Sequence, residues 1–135
     1  MKANEKYNKA VEFVKKYGWS KVKEYLSNVH KKATHMYIGY MGTASYFYQH
    51  PNLNWCEVDS RTIGWDSDRC CYDVHPPVSS MFVIEELKRL VNSYKVVERF
   101  GGLEKAKLHC YLGKHLSLVS YYRLKQAIED VESCK

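Results

Sequence analysis

The sequence predicts an α+β fold: two helical hairpins and a C-terminal helix around a small antiparallel sheet. Three observations predict it. Apolar residues recur three and four apart near both ends of the chain, the mark of an amphipathic helix. Each end carries a helix–glycine–helix corner. Residues 34–75 lose that spacing and become rich in aromatic, glycine and turn residues instead.

Residues 4–17 read as the first helix. Tyr7, Val11 and Val14 form its apolar seam, with Ala10 and Tyr17 beside it, and Lys2, Lys6, Lys9 and Lys16 line another face. Gly18 stops it, because glycine accepts the left-handed backbone that closes a helix. Ser20 can cap the next helix, which carries Val22, Tyr25, Leu26 and Val29 to about Lys31. In the middle, Tyr37–Ile38, Tyr46–Tyr48, Trp55–Val58 and Cys70–Val74 read as short strands, although residues 43–49 could also form a helix.

The run from Ser79 to Leu112 organises the rest. Val83, Leu87, Leu90, Tyr94 and Val97 make one stripe, widened by Ile84 and Val91, while Glu86, Arg89, Ser93 and Lys95 fall elsewhere and can stay wet. Pro76–Pro77 precede this helix and Gly101–Gly102 end it. Leu103, Ala106 and Cys110 begin a second apolar pattern. The two corners echo each other: valine, an aromatic, glycine, a large apolar residue, then lysine–small–lysine. Residues 114–117 connect to a last helix with Tyr121, Leu124, Ile128 and Val131 inward.

One domain is expected from 135 residues. No apolar run reaches the roughly 18 residues of a membrane helix, and the charged start lacks a signal-peptide core. Five cysteines, an odd count with no export signal, read as reduced thiols in a cytosolic protein with no membrane partner. The net charge is +6, laid out unevenly. Residues 1–33 hold nine lysines against three glutamates, residues 34–78 are net acidic, and residues 79–135 are basic again.

No catalytic set, metal site or cofactor is expected. A metal could draw on Cys56, Cys70, Cys71 and His75, or on His109, Cys110 and His115, but neither set has the paired short spacings of structural zinc. Cys71 and His75, four apart, could make a nucleophile and its base. Glu57, Asp59, Asp66 and Asp68 could hold magnesium in a hydrolase, with no lysine or histidine placed to assist. The lysines Lys2, Lys6, Lys9 and Lys16 could attract phosphate without reading bases. Twelve tyrosines and three tryptophans favour a protein-binding surface made of Tyr46, Tyr48, Trp55, Glu57, Asp59, Trp65, Asp66 and Asp68.

Residues 88–132 resemble the tails of small bacteriophage and prophage proteins. The resemblance rests on Val97 to Lys107, with its Gly-Gly-Leu corner, and on Ala127-Ile128-Glu129-Asp130-Val131-Glu132. It covers about a third of the chain and implies an accessory factor of the anti-CRISPR type. Such a factor would inhibit a host protein or ribonucleoprotein complex in the bacterial cytoplasm, by binding rather than by catalysis. Many such inhibitors are acidic DNA mimics, whereas this chain is basic. The alternatives are a nucleic-acid-binding factor that uses the N-terminal lysines, and a small metal- or thiol-dependent hydrolase.

Overall fold

The computed structural model describes residues 2–27, 29, 33–39, 41–49, 55–58, 78–112 and 117–135. These form an α+β fold in which helices sit at both ends of the chain and a small antiparallel sheet lies between them. The helices are α1 (Lys2–Tyr17), α2 (Trp19–Ser27), α3 (Ile84–Arg99), α4 (Leu103–Leu112) and α5 (Leu118–Ser133). The strands are β1 (His35–Ile38), β2 (Ala44–Gln49), β3 (Trp55–Val58) and β4 (Phe82–Val83), in the spatial order β3-β2-β1-β4.

Several boundaries differ from the sequence reading. The strand expected at Tyr46–Tyr48 forms and is longer, Ala44–Gln49, and the helix left open for residues 43–49 does not form, because β2 lies between β1 and β3 and pairs with both. The helix expected from Ser79 begins at Ile84. Val78–Ser80 make a 3₁₀ turn, and Phe82 and Val83 pair with Met36 and His35 as a fourth strand. The Ile84 amide then donates to the Thr34 carbonyl, which ties the start of α3 to the sheet. α2 stops at Ser27, where the Ser27 hydroxyl donates to the Glu24 carbonyl, four residues short of Lys31. The strand expected at residues 70–74 lies outside the described residues. The last helix starts where its connection was expected to end, with the Ser117 hydroxyl accepting from the Ser120 amide as an N-cap.

Both corners form, and they close differently. At the first, the Gly18 amide donates to the Val14 carbonyl, with Gly18 at φ +82°. At the second, the Gly102 amide reaches back to the Val97 carbonyl across two left-handed glycines, a wider closure of the Schellman kind.

The buried residues form two clusters. One joins α1, α2, the sheet and α3 around Phe13, Met36, Ile84, Leu87 and Leu90. Phe13, which the seam reading passes over, is its aromatic centre, with its ring centroid 4.6 Å from Phe82 and 4.7 Å from Tyr17. The other cluster joins α3, α4 and α5 around Val97, Ala106, Leu124, Ala127 and Val131. Trp19 packs against both and stacks on Tyr94 at 4.5 Å, so the residue that follows the first corner links the two cores. Each fully buried leucine contributes about 1.5–3 kcal/mol, which is why α3, in contact with both clusters, is the spine of the fold. Among the described residues no helix is long and apolar enough to cross a membrane.

Candidate functional site

α3 turns its apolar stripe inward, so its opposite face is left to solvent. That face carries Lys88, Asn92, Lys95 and Arg99 at steps of four, three and four, all exposed. They form a straight ridge rising roughly 16 Å along the helix. The exposed acids of α3, Glu85 and Glu98, stand near its two ends. A cleft runs along each side of the ridge. On one side, α2 contributes Lys23, Leu26 and Ser27 to a cleft of about 330 Å³ that Lys88 and Lys95 also line. On the other side, α5 contributes Arg123, Gln126, Ala127 and Asp130 to a cleft of about 670 Å³ that Lys95 and Arg99 share. Lys95 and Asn92 belong to both, so the two clefts and the ridge make one continuous basic surface.

The floor of the larger cleft is a buried carboxylate. Asp130 has no exposed surface. Its Oδ1 accepts from the Tyr7 hydroxyl (2.9 Å), from Arg89 Nη2 (3.2 Å) and from Gln126 Nε2 (3.1 Å). Its Oδ2 accepts from the Ser93 hydroxyl at 2.6 Å. Four donors on α1, α3 and α5 thus satisfy a charge that would otherwise be costly to bury. Arg89 is held on three sides. It bonds Asp130, lies 3.9 Å from Glu86 Oε2, and has its guanidinium carbon 5.0 Å from the Tyr7 ring centre. Burial, ahead of the weaker effect of the Asp130 carboxylate, raises the Tyr7 hydroxyl's pKa, so the hydroxyl stays a donor.

The other cations of this surface differ from Arg89. Among the described residues, Lys95, Arg99 and Arg123 have no acidic partner, and Lys23 lies over the Tyr94 ring at 4.6 Å. The surface therefore offers unneutralised guanidinium and ammonium groups beside the side-chain amides of Asn92 and Gln126. Such a set suits an anion with several oxygens, phosphate above all, because guanidinium forks match its geometry.

The residues expected to bind protein do not form one patch. Tyr46 is buried at 8% exposure, and its hydroxyl donates to the Tyr25 carbonyl at 2.6 Å, so it is a core residue. Tyr48, two residues on, shares its side of the sheet and packs against the same core. The register places Trp55 opposite Gln49 and Glu57 opposite Phe47, which puts Trp55 and Glu57 on the other side. Glu57 is exposed, and half-buried Trp55 meets His35 edge-on at 4.9 Å. Asp59, Trp65, Asp66 and Asp68 lie outside the described residues. Of the N-terminal lysines, Lys6, Lys9 and Lys16 are exposed on α1, and Lys2 starts that helix. Lys9 donates to the Ser79 carbonyl at 2.6 Å, and Lys16 lies 5.2 Å from the Tyr17 ring centre, so both also serve the structure.

The sequence reading also set Ser93 among the wet residues of α3, but it is buried on Asp130. It missed the α3 ridge, although the spacing of Lys88, Asn92, Lys95 and Arg99 was visible as the complement of the apolar stripe. Among the described residues no three of His, Cys, Asp and Glu come together to hold a metal. Cys110 and Cys134 are free thiols, and burial pushes the Cys134 thiol up to about 11. Cys70, Cys71, His75 and His115 lie outside the described residues. No protein-family model matches the chain, and neither the curated proteins nor the solved structures contain a match to it.

Proposed function

We propose that the protein is a non-enzymatic binding factor whose partner presents phosphates to the α3 surface. The observation that carries this reading is the convergence of Lys23, Lys88, Lys95, Arg99 and Arg123 on two clefts that share one helix, with none of the five in an ion pair among the described residues. Phosphate contacts of this kind fix affinity and register but carry no base sequence, so recognition is of backbone and shape. The ridge and the larger cleft fall within residues 88–132, the stretch that resembles the tails of small bacteriophage and prophage proteins. We therefore read the protein as a phage accessory factor that occupies the nucleic-acid face of a host ribonucleoprotein, a CRISPR-type defence complex being the partner this favours. A basic inhibitor would engage the guide or target strand, where an acidic one would imitate it.

Fluorescence anisotropy with labelled single-stranded RNA and duplex DNA tests the reading. Affinity is expected to fall at least tenfold between about 50 and about 200 mM salt, as counterion release requires. The triple change Lys95→Glu, Arg99→Glu and Arg123→Glu is expected to abolish binding while leaving the circular dichroism unchanged, since all three side chains are exposed. Binding that ignores salt, or that survives the triple change, contradicts the reading.

A further inference from the structure

The larger cleft is not uniform along its length. Asp130 on α5 bonds Arg89 and Ser93 on α3. Arg123, seven residues earlier on α5, lines the same cleft as Arg99, six residues beyond Ser93 on α3. The two helices therefore run antiparallel, and the cleft has two distinct ends. One end holds Arg99 and Arg123, both exposed and in no ion pair among the described residues. The other holds Ser93, Asp130, Gln126 and Asn92.

At the second end the charges are already balanced, because Arg89 is taken by Asp130 and Glu86. The Asp130 carboxylate only accepts, so Gln126 must turn its NH₂ group toward it, at 3.1 Å. That bond fixes the amide and leaves its carbonyl oxygen as an acceptor. A second amide, exposed Asn92, lines the cleft from the facing helix. An acceptor backed by a carboxylate disfavours phosphate and suits the N–H groups of a neutral body. The cleft is thus built for a ligand with phosphate at one end and uncharged hydrogen-bonding groups at the other.

We propose that the larger cleft takes one unpaired nucleotide of a single strand, its phosphate between Arg99 and Arg123 and its base against Gln126 and Asn92. This rests on the reading of the α3 surface as a phosphate site and adds what lies beside the phosphate. The size fits. The cleft holds about 670 Å³, within the roughly 300–1,000 Å³ of small-molecule sites. Asn92 and Arg99 stand seven residues apart, roughly 10 Å along the helix, which separates a base from its phosphate. The width selects a single strand. Packed helices have axes roughly 8–10 Å apart, so the gap between α3 and α5 admits a flat ring but not a duplex. A base also offers its pairing edge to side chains only when it is unpaired. Lys95 lines both clefts, so the strand can cross the ridge there and lay its next phosphates on Lys23 and Lys88.

Competition anisotropy at one low salt concentration tests the proposal with three competitors. These are a single-stranded RNA, a strand of equal length built of abasic ribose phosphates, and the RNA duplex. The abasic strand and the duplex are each expected to bind roughly tenfold or more weakly than the intact single strand. Gln126→Met and, separately, Asn92→Leu, close in size to the residues they replace, are expected to bring the ratio of intact to abasic affinity toward one. Circular dichroism checks that both variants are folded. Equal affinity for intact and abasic strands overturns the proposal and leaves the phosphate reading standing. A duplex that binds as tightly as the single strand overturns it equally, as does a ratio that neither variant changes. Absence of binding by every strand overturns both readings together.

Discussion

Asp130 shows how far one residue's role can depend on residues distant in the chain. Its partners Tyr7, Arg89 and Ser93 lie up to 123 positions away. Asp130→Ala leaves the Ser93 and Tyr7 hydroxyls without an acceptor and frees the half-exposed Arg89. The expected loss is about 2–3 kcal/mol, less than for a fully buried pair because water reaches Arg89. Urea unfolding followed by circular dichroism measures it, and wild-type stability in the variant would show that the network contributes nothing. His35 gives a pH prediction. Burial, and behind it the charge of Lys6, lowers its pKa from the ordinary 6.5. The unfolded chain therefore takes up a proton first as pH falls. Stability is full above about 6.5 and declines as pH drops from there toward the lowered folded value. Thermal midpoints at pH about 7.5 and about 5.5 should show the decline, and His35→Gln should reduce it. Neither role was legible in the sequence. Asp130 falls beside apolar Ile128 and Val131 like any helical surface acid, and His35 is marked only by its neighbours across the sheet.

At the scale of elements, the sequence spoke most clearly where structure is local. The helix–glycine–helix corners need only a helical pattern and a residue that tolerates positive φ, and both are written within a dozen positions. The glycines are accordingly the positions to perturb. Gly18→Ala, at φ +82° with open space around the added carbon, is expected to cost about 1 kcal/mol from backbone strain alone. Gly102→Ala, at φ +112°, lies beyond the left-handed well and is expected to cost more. Chemical denaturation of both variants checks the order, and equal stabilities would mean that the second corner relaxes. The elements misread were those decided from outside. Phe82–Val83 became a strand because β1 offered them an edge, not because two residues specify one. The tyrosines of β2 and the Trp55–Glu57 pair of β3 parted to opposite sides of the sheet. Which side is buried depends on where the helices land.

For the molecule as a whole, total charge was less informative than its placement. By count the N-terminal third is the most basic part of the chain, and the sequence reading accordingly favoured its lysines. Folding changes that ranking. α2 brings Lys23, and α5 brings Arg123, to the flanks of α3, so cations spread over about a hundred positions meet on one surface. Such a juxtaposition has no linear signature except the 88-92-95-99 spacing on the helix between them.

The most direct measurement of the central claim is a nitrogen–proton NMR titration of the labelled protein with a short single-stranded RNA. The expected shifts gather on Lys23, on the 88–99 face of α3 and on Arg123–Gln126, and they fade as salt is raised. Shifts confined to the Lys6, Lys9 and Lys16 face of α1, or none at all at low salt, would contradict it.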